Sequence, residues 1–260
     1  QTGLECIGDI NGNNEAEVII LALKSLELIS NDFVLDLSHV GLVSALLDGF
    51  GLEGERRKSA LNSVVSKNGD LLRETCGDKI FDELKCLIKS FKNAKDALSS
   101  VEEICKTDKA KQYAKELWDI YNRAEKEGFG SNINIDFSIV DSAAYYSGTV
   151  FKGYIDGAES RVLSGGRYDG LISQMGGPQD PSLGFAMGIE RIMLLLEAQE
   201  TKLPKNNSCD LYIAAMGKDA ALKATELVSS LRKDGFKVET DICGRGLKAQ
   251  MKFADKIGAA

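Results

Sequence analysis

The amino-acid sequence predicts an α+β fold in which an antiparallel sheet and its helices fill residues 1–200. Apolar and polar residues alternate in residues 128–140, as they do in a half-buried strand. The strand-like runs 145–155 and 160–171 are joined by the turn sequence DGAE, which is typical of a β-hairpin. Residues 53–128 instead repeat Lys, Glu and Leu without alternation, which predicts a helical insertion.

The remaining elements of this region follow from local patterns. Residues 15–30 have apolar side chains at helical spacing after Asn13 and Asn14, which are plausible caps. The alternation of residues 32–41 predicts a strand. A helix, a strand and a second helix are predicted at residues 42–52, 182–188 and 189–198.

The end of the sequence predicts a second, smaller domain. Residues 199–208 contain Pro204 and two asparagines and read as a linker. Residues 209–260 then follow a strand, helix, strand, helix order, which is typical of a small α/β domain. Because the sequence opens on a strand-like run and stops directly after a helical one, we expect residues 1–200 to be a fragment and residues 209–260 to be truncated.

Composition narrows the class of protein. The 260 residues are 43% hydrophobic and 27% charged, and no apolar run approaches the length of a membrane span. We therefore expect a cytoplasmic protein with no membrane partner. The six cysteines form no CxxC pair and His39 is the single histidine, so we expect neither a metal site nor a cofactor. A net charge of −7 makes nucleic acid an unlikely partner.

The stretch LSGGRYDGL is the densest local signal for a site. Gly165 and Gly166 allow a ligand to approach the backbone closely at the end of a strand. Arg167 can clamp an anion, and Tyr168 and Asp169 can hold an amine or a ring nitrogen. A tight turn with a structural pair between Arg167 and Asp169 explains the same residues equally well.

Two further pairs of polar residues are candidates for a binding site. Gln1 and Glu5 are four residues apart in an extended run and therefore face the same side, where they can bind an ammonium and an imidazole or simply be solvated. Tyr145 and Tyr146, if they lie on a strand, point to opposite faces, so that only one ring lines a given pocket.

One arginine near a predicted helix start is a candidate anion ligand. Arg191 falls in the first turn of the helix that follows Gly188, where it can hold a phosphate or carboxylate, or pair with Glu190 or Glu197 on the surface. No serine, cysteine or carboxylate pair has the spacing of a nucleophile and its base, so no catalytic residue is predicted.

Five stretches of the sequence resemble the blocks of the histidyl-tRNA synthetase-like branch of the class II synthetases. In order along the chain they are QTGLECIG, AEVIILALKSL, YYSGTVF, LSGGRYDGL and GFAMGIERIM. The tail resembles the anticodon-binding domain of that branch. The resemblance implies a class II aminoacyl-tRNA synthetase-like antiparallel sheet with helices and a helical insertion, plus a small C-terminal α/β anticodon-binding-like domain. It implies that histidine is held by the following residues: Gln1, Glu5, Tyr145, Tyr146, Gly165 and Gly166.

Two relatives share these blocks, and the residue before the paired tyrosines distinguishes them. In histidyl-tRNA synthetase an arginine followed by Gly-Leu helps to activate histidine, whereas this sequence has Asp141, Ser142 and Ala143. Activation develops negative charge on a phosphate, which the arginine of the synthetase neutralises. Asp141 is an anion at this position and reverses the electric field at that phosphate, so we expect adenylation to be absent. Arg167 and Arg191 would then be a relic anion site.

The hypothesis from sequence is therefore a non-catalytic regulatory subunit of ATP phosphoribosyltransferase in histidine biosynthesis. It would form a homodimer within a hetero-oligomer and activate the short-form ATP phosphoribosyltransferase catalytic subunit. L-histidine would be its effector and would inhibit the assembly by feedback. The alternatives are a histidyl-tRNA synthetase that joins histidine to tRNA with ATP, and a synthetase paralogue with another regulatory role.

Overall fold

The computed structural model divides the chain into two compact units, Gln1–Glu200 and Thr201–Ala260. The residues that it describes are 1–8, 11–91, 93–141, 145–201 and 209–259, with the backbone alone at Asp141.

Six strands of the first unit form one sheet. They are β1 (Thr2–Ile7), β2 (Phe33–His39), β3 (Ile133–Ile135), β4 (Thr149–Ile155), β5 (Leu163–Arg167) and β6 (Ser182–Met187). Their order across the sheet is β1-β6-β5-β4-β2-β3, and neighbouring strands are antiparallel except for β2 and β3. The predicted α+β fold with an antiparallel sheet is confirmed.

The helices of the first unit include the predicted insertion, which runs from α3 to α7 between β2 and β3. The helices are α1 (Gly12–Glu27), α2 (Val40–Gly49), α3 (Gly54–Val65), α4 (Gly69–Cys76), α5 (Asp78–Leu84), α6 (Ala94–Glu103), α7 (Asp108–Lys126), α8 (Leu171–Gln174) and α9 (Ile189–Ala198). Two 3-10 helices span Lys85–Ile88 and Phe137–Asp141. The cap of α1 is Asn11, whose side chain accepts from the Asn13 backbone N–H at 2.9 Å.

The sheet has two different faces, because successive residues of a strand point to opposite sides. Helices α1, α2 and α7 cover one face. The side chains buried on this covered face include Leu35, Leu37, Phe151, Leu163 and Leu183. The alternate positions form the open face, where Glu5 of β1 stands opposite Gly184 of β6, and Gly184 stands opposite Gly166 of β5.

Three predicted strands are shorter than the sequence indicated, including the run 160–171, of which Leu163–Arg167 forms β5. Strand β3 stops at Ile135, because the Asp136 carboxylate accepts from the Ser138 backbone N–H at 2.9 Å and turns the chain into a 3-10 helix. Strand β4 begins at Thr149, so Tyr145 and Tyr146 precede it instead of lying on it.

The second unit has the predicted order of strand, helix, strand and helix. Strands β7 (Leu211–Ile213) and β8 (Val238–Thr240) are parallel, α10 (Lys218–Lys233) connects them, and α11 (Leu247–Lys256) follows. The buried amide of Gln250 ties α11 to the end of β7, since it donates to the Ala215 carbonyl at 2.9 Å. In the described parts of both units, no helix combines the length and the apolar character that a membrane span needs.

Candidate functional site

Two facing glycines form a floor on the open face of the sheet, and the polar side chains grouped over them make a candidate pocket. A Cβ added to Gly184 would overlap the Glu5 carboxylate, and one added to Gly166 would lie 2.8 Å from the Tyr146 ring. Glu5 and Tyr146 can therefore lie flat against the sheet only because these two positions have no side chain.

Glu5 and three tyrosines make the polar lining of this pocket. We call this set the Glu5 pocket: Glu5, Tyr145, Tyr146 and Tyr168. The Tyr168 hydroxyl donates to Glu5 Oε2. The Tyr145 ring meets the Tyr168 ring edge-on, with centroids 6.1 Å apart, and its centroid lies 4.6 Å from that of Tyr146. Both Tyr145 and Tyr146 thus reach the pocket, whereas a strand would have separated them.

The protonation states of the pocket suit the binding of a cation. Burial raises the pKa of Tyr146 well above the usual range, and its hydrogen bond with Tyr145 and the nearby Glu5 charge raise it further. Burial, and then the hydrogen bond to Glu5, raise the pKa of Tyr168 in the same way. The phenols of Tyr146 and Tyr168 therefore keep their protons, and the Glu5 carboxylate beside them can accept hydrogen bonds from an ammonium or an imidazole.

Gln1 lies just before β1 and borders two shallow clefts. One cleft, of about 350 Å³, is lined by Gln1 together with Glu5. The other, of about 380 Å³, is lined by Gln1 together with Arg161 and Arg191. Gln1 therefore borders both a cleft that contains Glu5 and a second cleft that contains two arginines.

Arg191 lies in the first turn of α9, as expected. Its guanidinium Nη1 donates to the Arg161 carbonyl at 2.6 Å, and its stem packs over Gly188. The side chain is exposed to solvent along the cleft, where its remaining N–H groups can meet an anion.

Two predicted site residues lie on the covered face instead of in the pocket. A Cβ on Gly165 would come within 2.6 Å of Phe185 Cβ and 2.7 Å of Phe151 Cζ, so this glycine relieves crowding in the core. Arg167 Nε is 2.9 Å from Asp169 Oδ1, and Arg167 Nη1 is 3.5 Å from Glu15. The structural pair weighed in the sequence is thus formed, and Arg167 is not among the residues that line the Arg191 cleft.

Tyr168 was not assigned to histidine in the sequence, although it belonged to the glycine-rich block. The available signal was its spacing: Tyr168 is two residues beyond Gly166 and so points to the same face. What the sequence did not contain was the register that brings β1 beside β6 and Glu5 beneath Tyr168.

The lone histidine has a structural role. His39 is buried, its Nδ1 accepts from the Leu42 backbone N–H at 3.1 Å, and it caps α2. Its Nε2 lies 3.3 Å from Glu116 Oε2, and this hydrogen bond holds the pKa of the Glu116 carboxyl below its usual value. Among the residues described, no three His, Cys, Asp or Glu side chains form a group that could hold a metal ion.

The structure describes only part of the segment 141–144, which distinguished the two hypotheses in the sequence. Asp141 ends the 3-10 helix Phe137–Asp141, but its side chain and Ser142, Ala143 and Ala144 lie outside the described residues.

Solved structures define the class of fold. The chain is similar to histidyl-tRNA synthetase from Nostoc sp. PCC 7120, with a TM-score of 0.68 and 20% identity over 99% of this chain and 65% of that one, which shows the fold alone. It is also similar to an ATP phosphoribosyltransferase regulatory subunit/histidyl-tRNA synthetase from Bacillus halodurans, with a TM-score of 0.65 and 27% identity over 96% of this chain and 65% of that one. The sheet and its helices thus have the class II synthetase fold of histidyl-tRNA synthetase-like proteins.

Sequence comparison gives the family. The model of the family described as histidyl-tRNA synthetase matches residues 1–192. Histidine–tRNA ligase from Clostridium perfringens is 35% identical over all of this chain and 60% of its own length. The ligase from Acetivibrio thermocellus is 34% identical over 86% of this chain and 57% of its own length. The chain belongs to the histidyl-tRNA synthetase family, and it spans about three fifths of the length of these curated relatives.

These findings overturn the regulatory-subunit prediction. That prediction, and with it the expectation that the protein is not an enzyme, is wrong, because the curated relatives are named histidine–tRNA ligases, which are enzymes. The physical error was to let the charge of one residue, Asp141, decide the chemistry. Cations also line the cleft beside Gln1, and they come from parts of the chain remote from Asp141.

Proposed function

We propose that the protein is a histidine–tRNA ligase, in which the Glu5 pocket binds L-histidine for activation with ATP and transfer to tRNA. The observation that supports this most directly is the contact between Glu5 and Tyr168 above Gly166 and Gly184. This contact places one carboxylate and a phenol over two glycines that have no side chains. The chain that contains them is 35% identical to a named ligase.

The pocket matches the chemistry of histidine. The Glu5 carboxylate accepts hydrogen bonds from the imidazole or the ammonium, and the phenols of Tyr146 and Tyr168 fix the orientation of the ring. The Gln1 amide, at the border with the second cleft, is suited to the ammonium or carboxylate end of the amino acid. A histidine bound in this direction would point its carboxylate toward the arginines.

The second cleft contains two arginines, beside one carboxylate at Glu190, that can act on the charge of activation. In that step the histidine carboxylate attacks the α-phosphate of ATP and pyrophosphate leaves, so negative charge develops on the phosphate oxygens. Arg191, with Arg161 beside it, is our candidate for stabilising this charge. Asp141 cannot do so, and the proposal therefore assigns to Arg191 a larger share of the stabilisation than in a relative with arginine at that position.

The proposed function also requires partners different from those predicted from the sequence. L-histidine becomes a substrate instead of an effector, and tRNA takes the place of the short-form catalytic subunit. The second unit, through its resemblance to an anticodon-binding domain, is our candidate for contact with tRNA. Such a ligase would work in the cytoplasm, where its tRNA substrate is found.

The test is histidine-dependent exchange between ATP and pyrophosphate by the intact protein, followed by charging of tRNA. We expect exchange that requires histidine, and we expect Arg191→Ala to lower it by about 100-fold or more. Arg123→Ala, which removes an exposed arginine of α7, is the matched control and should leave exchange unchanged. Histidine binding without any exchange would overturn the proposal.

A further inference from the structure

A buried carboxylate lies behind the Glu5 pocket, on the covered face of the sheet. Glu15 stands in the first turn of α1 and is only 3% exposed, although most glutamates lie at the surface. A buried charge is costly unless it is paired and hydrogen-bonded, so its partners indicate what it holds in place.

Glu15 has two partners, one from each of two neighbouring strands. The Thr149 hydroxyl, which is fully buried at the start of β4, donates to Glu15 Oε1. The Arg167 guanidinium, at the end of β5, lies 3.5 Å from Glu15 Oε2 and makes its second ion pair with Asp169. Glu15 thereby ties together the ends of two strands that border the pocket.

Arg167 also contacts the segment that contains Tyr145 and Tyr146, and so links that segment to Glu15. Its carbonyl accepts from the Ser147 backbone N–H at 2.8 Å, and the Ser147 hydroxyl accepts from the Asp169 backbone N–H at 3.0 Å. Its stem packs on Gly148, where an added Cβ would lie 2.9 Å from Arg167 Cδ. The residue next to Tyr146 is therefore held at two points.

The same contacts restrain the backbone of Tyr168, because they involve the residue before it and the residue after it. Arg167 and Asp169 are its immediate neighbours, and they point away from the pocket and pair with each other. The Tyr168 backbone N–H donates to the Ser182 carbonyl at 2.7 Å, which holds the chain between them. Two of the three phenols in the Glu5 pocket are thus set by one network behind the sheet.

We propose that Glu15 is a positioning residue, which acts through Thr149 and Arg167 to hold Tyr146 and Tyr168 in the geometry that binds histidine. Its use in histidine binding rests on the proposed function, whereas its effect on the two tyrosines does not. Small displacements of positioned groups are expensive, and an error of about 1 Å can cost up to about 100-fold.

The experiment compares Glu15→Gln, Glu15→Asp and Glu17→Gln in the intact protein. Glu17 lies two residues along α1, is exposed, and loses the same charge in its variant, so it is the matched control. The readouts are the histidine concentration for half-maximal exchange, the rate at saturating histidine, and the NMR signals of ¹³C-labelled tyrosine. Tyr146→Phe and Tyr168→Phe assign the two signals among the seven tyrosines.

We expect Glu15→Gln to shift the Tyr146 and Tyr168 signals and to raise the half-saturating histidine concentration about tenfold. The saturated rate should change much less, because the arginine cleft is untouched. Glu15→Asp should restore part of the affinity, since it keeps the charge, and Glu17→Gln should match the wild type.

The outcomes separate the two proposals. Unmoved tyrosine signals and unchanged histidine affinity in folded Glu15→Gln would overturn the role of Glu15, even if the melting temperature fell. If the wild type did not bind histidine, the proposed function would fail, and the tyrosine signals would still decide whether Glu15 positions them. Should Glu15→Gln not fold, Arg167→Lys breaks the same network at a partly exposed residue and must then shift the same two signals.

Discussion

The two faces of the central sheet use adjacent glycines for opposite purposes. Gly165 faces the covered side, where a methyl group would meet Phe185 and Phe151. Gly166 faces the open side, where it makes room for Tyr146. A glycine pair that looks like one feature in the sequence therefore belongs half to the core and half to the pocket, because side chains alternate along a strand.

The difference extends to the chemistry of each face. On the covered side, leucines and phenylalanines are buried under α1, α2 and α7, and burial of this kind supplies most of the folding free energy. On the open side, Glu5 is exposed and its contacts are polar. Substitutions should therefore separate into those that change stability and those that change binding.

Among tests of this comparison, the broadest effect is expected from substituting alanine for each of the adjacent glycines in turn. Gly165→Ala should lower the free energy of unfolding by about 1–3 kcal/mol, because the methyl group overpacks the core. Gly166→Ala should weaken histidine binding by more than tenfold, because its methyl group would lie 2.7 Å from the Thr149 carbonyl oxygen and 2.8 Å from the Tyr146 ring, which must move from its place above the floor. Urea unfolding and calorimetric titration with histidine measure the two effects.

Gly170→Ala is the control for this pair, since its methyl group would touch only Gln174, at 3.5 Å. Equal losses of stability and of binding in Gly165→Ala and Gly166→Ala would mean that the two faces are not independent.

A narrower effect, confined to binding and without a loss of stability, is expected for Glu5→Gln. This change keeps the shape of the side chain but removes the charge that faces the ligand, and a hydrogen bond to a charged group contributes about 1.5–3 kcal/mol. Histidine affinity should fall by roughly 10- to 100-fold, while the melting temperature should stay close to that of the wild type. A large drop in melting temperature would show that the open face also holds the fold together.

The smallest effect is a dependence of stability on alkaline pH. The folded protein raises the pKa of Tyr146 and Tyr168, so it keeps protons that the unfolded chain releases above about pH 10. Their contribution is complete below that pH and is lost as the pH rises further. Urea midpoints at pH 8.5 and pH 10.5 should decline less in Tyr168→Phe than in the wild type, and an equal decline would contradict the prediction.

Local patterns were sufficient for most of the fold, because they report on neighbours in the chain. The helical insertion, the β4–β5 hairpin and the order of elements in the second unit follow from periodicity and turn residues. For the open face, the sequence predicted Gln1 and Glu5 on one side of a strand, and the structure places Glu5 in β1 and Gln1 just before it.

The rest depended on individual side-chain contacts, some of them between distant parts of the chain. Glu15 lies in an ordinary amphipathic helix, and only its contacts with Thr149 and Arg167 distinguish it from Glu17. The early end of β3 depended on one local side-chain bond at Asp136. The charge of Asp141, which stands where the synthetase has arginine, did not indicate the function, because the function depends on all the residues of the pocket.

The pairing of β1 with β6 has a consequence for how the protein is made. Glu5 and Tyr168 are 163 residues apart, and β1 leaves the ribosome long before its partner strand exists. Until then the edge of β1 that pairs with β6 has no partner, and contacts over such separations form slowly. Variants that weaken β6 should therefore be recognised first by low yield and aggregation in cells, before any loss of histidine affinity can be measured.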